Sequence, residues 1–211
     1  MRRTKEDAEQ TRKAILGSAM DIFCEKGYSK TTFDEIAKRI NLTKGAVYWY
    51  FRNKPDIVAA LINDFAAKHI GLVKNTLDEI EHIEFEDIIN MELLINKQIK
   101  EDAEFAKFLF FVSCQMEWSE SIISKIRPAI EETKNVGRNL LFEMLQSLQK
   151  RGKIKPQTDI IMITEILRMM YGGILEGYFT KRLEHSFDDV VRTGFNLIFN
   201  SIKAEGCDNE N

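Results

Sequence analysis

Apolar residues in this chain recur every three or four positions, and nowhere do apolar and polar residues alternate over the roughly four to eight positions a half-buried strand requires. The pattern predicts an all-α protein. Ile15, Ala19, Ile22 and Phe23 form the first stripe, on a helix from about Ala8 to Lys26 that Gly27 ends, with residues 1–7 read as a loose polar arm. Phe33, Ile36, Ala37 and Ile40 form the stripe of a short second helix. Its N-cap is Thr32, and Glu35 three residues on completes a capping box. Asn41 tolerates the left-handed backbone that lets a chain leave one helix and enter the next at once, and Leu42 can fill the angle between them. Thr43 then caps a third helix, Lys44 to Tyr50, in which Ala46, Val47 and Phe51 face inward.

Further stripes follow. Pro55 suits the first turn of a helix whose apolar positions, Ile57, Val58, Leu61, Ile62 and Phe65, run on towards Leu72, Val73 and Ile80, making a lever between a head and a body. Helices are expected over 84–101 and 102–116, from about Ile126 to Gly152 with Pro128 in its first turns, from Thr158 as cap to about Tyr178, and from Ser186 as cap to Ile202. The helix after Thr158 is apolar nearly all round, so it must be covered on more than one side. That makes about nine helices: a three-helix head, then a larger helical domain, with the boundary placed at 8–68 and 69–211.

The second and third helices form a helix-turn-helix, and the chemistry of the third fits DNA. Lys44 and Tyr48, at i and i+4, share its outward face, and Gly45 leaves the backbone bare beside them. A cation, a bare backbone and a phenol suit the base edges of a major groove, while Arg52 and Lys54 just beyond are placed for phosphates.

The order of residues narrows this further. The stretch TTFDEIAKRINLTKGAVYWYFRNK, residues 31–54, closely resembles the DNA-binding signature of the tetracycline-repressor (TetR) family, T-x-x-x-I-A-x-x-x-x-(V/L)-x-x-G-x-(V/I)-Y-x-(H/Y)-F-x-x-K. The resemblance extends more weakly to the C-terminus in the branch of multidrug-efflux repressors. It implies Thr32, Tyr50 and Lys54 near phosphates, and Thr43, Lys44, Gly45 and Tyr48 near bases or the adjoining backbone. Many relatives have His where this chain has Tyr50. The resemblance also implies a homodimer built on the last two helices, a palindromic operator, and a lipophilic effector.

Charge agrees with a DNA-binding head. Residues 1–54 hold twelve Lys and Arg against seven Asp and Glu (+5), and residues 55–211 hold eighteen against twenty-six (−8), together the net −3. A basic module on an acidic body directs a polyanion to one end. Met and aromatic residues in the body suit the walls of an apolar cavity, and Phe65, Phe105, Phe108, Phe111, Trp118, Met144, Met170 and Tyr171 are the candidates to line it. Resemblance to efflux repressors implies drugs, dyes or other amphipathic compounds, with Glu92 or Glu117 available to a cationic one.

Enzymatic chemistry finds little support. His69, His82 and His185 have no partner at i+3 or i+4, no glycine-rich loop follows a strand, and no cofactor or metal is expected. Cys24, Cys114 and Cys207 are odd in number and widely spaced, as free thiols in a reducing compartment would be. The start has no apolar signal segment, and the most apolar run, Ile160 to Leu175, is interrupted by Glu165 and Arg168, so neither export nor a membrane span is expected and the cytoplasm is the natural location. The reading is a ligand-controlled transcription regulator. Its alternative is a helical architectural protein that binds DNA without an effector.

Overall fold

The computed structural model describes residues 4–65 and 82–204, and for 129–139 the backbone alone. The predicted continuation of the lever through Leu72, Val73 and Ile80 lies outside the described residues. Helices are α1 (Lys5–Lys26), α2 (Phe33–Arg39), α3 (Lys44–Tyr50), α4 (54–65), α5 (Phe85–Glu101), α6 (Ala103–Phe110), α7 (Glu120–Lys150), α8 (Ile160–Phe179) and α9 (Phe187–Ile202), and α6 runs on into a π-helical turn, Phe111–Gln115. Among the described residues the only β pairing is an isolated bridge between Ile154 and Lys203.

The chain packs as two units. The first joins residues 1–67 to 104–133, and the second joins 68–103 to 134–211, a division that a single cut in the sequence does not express. In the first unit Ile15, Ala19 and Phe23 of α1, Ile36 of α2, Val47 of α3 and Ile57 and Val58 of α4 are buried together. Residues between Tyr28 and Lys30 lead into α2. Phe111, from the π-turn, stacks on Phe23 at 4.9 Å between ring centroids. The Arg12 guanidinium meets the Asp64 carboxylate with both nitrogens, at 3.1 and 3.2 Å, tying α1 to α4.

In the second unit Ile88 and Ile89 of α5, Leu145 and Leu148 of α7, Leu167 of α8, and Val191, Phe195 and Phe199 of α9 are among the buried apolar residues. Gly194 lets α8 come close to α9, since a Cβ there would lie 2.8 Å from Met170 Sδ. Polar contacts cross the same core: Tyr171 donates to Asn96 Oδ1 at 2.9 Å, and Asn96 donates in turn to Asp188 Oδ1 at 3.0 Å. Both polar links fix helix register, because a buried amide or phenol left unpaired would cost about 1–3 kcal/mol.

Three expectations about element ends change. The arm is shorter than residues 1–7, since Thr4 caps α1 and forms a capping box with Asp7, a local signal that outweighs the later start of the apolar stripe. The cap of α8 is Asp159, whose carboxylate accepts from Met162 N at 3.1 Å, rather than Thr158. Pro128 lies well inside α7 rather than in its first turns, because the helix begins at Glu120.

Candidate nucleic-acid interface

The capping and turn devices predicted for α2 and α3 are present. Thr32 Oγ accepts from Glu35 N at 3.3 Å while Glu35 Oε2 accepts from Thr32 N at 3.0 Å. Lys26 and Thr32 together hold the Glu35 carboxyl down at about 2, so the box stays charged at any ordinary pH. Asn41 has φ 54°, the left-handed turn that sets α3 directly after α2, and Leu42 N donates back to Ala37 O at 2.9 Å. Thr43 Oγ accepts from Ala46 N at 3.2 Å and starts α3. Val47 and Phe51 are buried beneath it.

What remains of α3 faces outward. Lys44 is exposed, its ammonium 5.8 Å from the Tyr48 ring. Tyr48 is 51% exposed and rests its ring on Phe33, 4.8 Å between centroids, which fixes where the phenol points. At Gly45 a Cβ would meet only Thr43 Oγ, at 3.9 Å, so the backbone is open to any surface laid against it. Trp49, which sequence reasoning passed over, is 74% exposed and packs edge-on against Tyr50 at 4.6 Å. Its signal was available: Val47 takes the inward position, so the two residues after it must turn away from the core.

Beside α3 lies a groove of about 600 Å³ lined by Thr43, Gly45, Ala46, Trp49 and Tyr50 on one side and by Thr4, Lys5 and Ala8 of α1 on the other. The Tyr50 hydroxyl is buried with no hydrogen-bond partner. A hydroxyl in that condition carries a desolvation cost that a bound acceptor would relieve. Among the described residues Lys5, Lys44 and Arg52 form no ion pair, whereas Lys38 is engaged by Asp34 at 2.7 Å and Arg39 by Glu25 at 2.6 Å. Lys5 and Lys44, the cations nearest the groove between α1 and α3, are thus left unpaired. Lys54 is anchored instead, donating to Tyr28 O at 2.7 Å and Ser29 O at 3.0 Å with its charge 4.5 Å above the Tyr28 ring.

A family model for bacterial regulatory proteins of the tetR family matches residues 15–61. Over 198 residues, 90% of each chain, the sequence is 27% identical to the HTH-type transcriptional repressor BepR of Brucella suis. Residues 15–61 thus form a DNA-binding domain of the tetR type. Two solved structures share its fold: NalD, the secondary repressor of the MexAB-OprM multidrug efflux pump of Pseudomonas aeruginosa, and SmeT in complex with triclosan. NalD is 20% identical with a TM-score of 0.76, covering 95% of this chain and 100% of its own. SmeT is 20% identical with a TM-score of 0.72, covering 93% of each. With that domain the protein is a DNA-binding transcriptional regulator, and the matched span runs from the middle of α1 into α4.

The candidates for an effector site fall in both units. In the first, Phe65 stacks on Phe108 at 4.4 Å with Phe105 at 6.5 Å, Phe111 is fully buried against Phe23, and Trp118 is exposed with its indole N–H on Val112 O at 3.1 Å. In the second, Met144 is buried, Met170 packs beside Gly194, and Tyr171 is held by Asn96. Of the two carboxylates proposed for a cation, Glu117 is exposed and Glu92, 8% exposed, is not. Burial pushes the Glu92 carboxyl up to about 7, against the pull of Arg168. Among the described residues no cluster of His, Cys, Asp or Glu could hold a metal, and no helix is long and apolar enough to cross a membrane.

Proposed function

We propose that this TetR-family regulator is a cytoplasmic repressor, that it binds a nearly palindromic operator as a homodimer, and that a lipophilic small molecule releases it. The observation that carries the DNA half is the outward face of α3, where Lys44, Gly45, Tyr48 and Trp49 are exposed. Thr43, Lys44, Gly45 and Tyr48 take the bases or adjoining backbone, and Thr32, Tyr50 and Lys54 the phosphates. Lys44 is the residue we assign to reading, and Lys54 to positioning.

The homodimer is supported by α8. Ile161, Met162, Ile166 and Met169 are exposed on it, Met169 at 75%, and Leu197 of α9 is exposed as well. Large apolar side chains so grouped mark an association surface. Twofold pairing then sets two heads at half-sites in major grooves on one side of the duplex. Relatives that repress efflux pumps, and the triclosan bound by SmeT, support repression of an efflux gene and an apolar effector. The effector lowers DNA affinity only by preferring a conformation other than the one the operator selects, and about 1.4 kcal/mol of preference gives a tenfold loss.

The test is operator selection from a random duplex pool, followed by titration of the selected duplex against lipophilic compounds. Recovery of a palindrome whose affinity falls on adding such compounds supports the proposal. Recovery of no preferred sequence, or an operator affinity that no compound changes, favours the architectural alternative.

A further inference from the structure

The first unit holds an acidic residue where its grip on a phosphate would be expected. Past the π-turn, Trp118 is pinned by its N–H to Val112 O at 3.1 Å, and the residue before it, Glu117, reaches the loop between α1 and α2. There Ser29 donates its hydroxyl to Glu117 Oε2 at 2.5 Å. Ser29 is also one of the two residues whose carbonyls hold Lys54, the other being Tyr28. An ammonium has three N–H donors, and two are occupied. The third, together with the Ser29 hydroxyl, is what this corner can offer an anion. The Glu117 charge is felt throughout it, pushing the Tyr28 phenol up further than burial alone and opposing the burial that lowers Lys54.

The corner is held in shape from both sides. Thr31 donates its hydroxyl to Gly27 O at 2.9 Å, and Thr32 next to it is locked in the cap of α2. Such a fixed pair of donors, one cationic and one neutral, takes a carboxylate or a phosphate oxygen equally well, and one anion excludes the other by charge.

Resting on the proposed DNA-binding reading, we propose that Glu117 competes with a DNA backbone phosphate for the corner formed by Ser29 and Lys54, and so acts as a brake on the head. The brake acts through a phosphate contact, which carries no base information, so it weakens operator and random DNA alike and leaves their ratio unchanged. It lies on the surface, where a single charge contact is worth little, so its effect is graded. Base reading by α3 is untouched by it.

The test compares wild type, Glu117→Gln and Glu120→Gln by fluorescence anisotropy on the selected operator and on an unrelated duplex of equal length, over a series of salt concentrations. Glu120 is exposed at the start of α7, three residues along, and serves as the control for general loss of acidic charge. Thermal melts of the three proteins check that each is folded. Glu117→Gln is expected to bind both duplexes roughly two- to fivefold tighter, with the plot of log affinity against log salt steeper by up to about one phosphate contact. The double variant Glu117→Gln, Ser29→Ala is expected to lose most of that gain. An unchanged or weaker Glu117→Gln, or an equal gain in Glu120→Gln, overturns the brake. Wild type that binds neither duplex refutes the DNA-binding reading and the brake with it, whereas wild type that binds beside an unresponsive Glu117→Gln refutes the brake alone.

Discussion

Replacing Glu92 by Gln should change how the protein's stability depends on pH. Glu92 is 8% exposed on α5, and burial raises its carboxyl from 4.5 to about 7. In the unfolded chain the group loses its proton near its ordinary value, whereas the folded chain keeps the proton to higher pH. Between those two values the folded state binds the extra proton, so the associated stability is complete below about pH 4.5 and is lost as pH rises through about 7. The separation amounts to about 3 kcal/mol. Gln occupies nearly the same volume, stays neutral, and has no such slope. Both tryptophans, Trp49 and Trp118, belong to the first unit, so tryptophan emission would not follow the second unit, where Glu92 lies. Urea unfolding followed by far-ultraviolet circular dichroism at pH 5, 6, 7 and 8 is the suitable assay. Relative to wild type, Glu92→Gln should gain about 2.5 kcal/mol between the lowest and highest pH, since part of the change falls below pH 5. A difference that stays constant over this range, or Gln becoming the less stable as pH rises, would mean that Arg168 keeps the carboxylate ionised and that burial does not dominate.

Lys44→Ala should weaken operator binding by about 1–3 kcal/mol and alter the bases preferred on reselection, since its side chain is free to reach base edges; equal losses on operator and random DNA would remove its reading role. Lys54→Ala should weaken binding to every sequence and also lower the melting temperature, because the ammonium holds the carbonyls of Tyr28 and Ser29; an unchanged melting temperature would leave it a phosphate contact only. Met169→Asp places a charge on the exposed apolar face of α8 and should convert a dimer to monomer in sedimentation at micromolar concentration, with operator affinity falling in parallel; an unchanged sedimentation coefficient would remove this face from the interface.

How much of this was legible in the sequence depended on how far apart the interacting residues are. The caps at Thr32, Thr43 and Ser186 and the left-handed Asn41 were readable because each device is made within four residues. The same logic should have shown the start of α1, where Thr4 and Asp7 stand at capping-box spacing, had the apolar stripe not been given more weight. Trp49 was readable from the helix period and was missed. Glu92 was half legible. With Ile88 or Ile89 before it and Asn96 four residues after, it sits in register with the buried stripe of α5, so its burial followed from periodicity although its partner across the core did not.

The run of phenylalanines from Phe105 to Phe111 marks the limit of such reading. In sequence these residues form one aromatic patch, equally suited to core or to the walls of a cavity. In the structure the end of α6 passes into a π-turn, and the run divides: Phe105 and Phe108 lie beside Phe65 of α4, while Phe111 is carried round to stack on Phe23 of α1. A single extra residue in a helical turn rotates everything after it, and no local signal in FVSCQ announces that turn. Its consequence is that residues 104–133, which the sequence assigns to the body, fold with the head and bring Glu117 onto the loop that holds Lys54. The corner of Ser29 and Lys54 is thus built from both the N-terminal segment and a segment more than sixty residues further along. For that reason a change at Glu117, outside the helix-turn-helix, is expected to reach the grip on DNA without passing through any base contact.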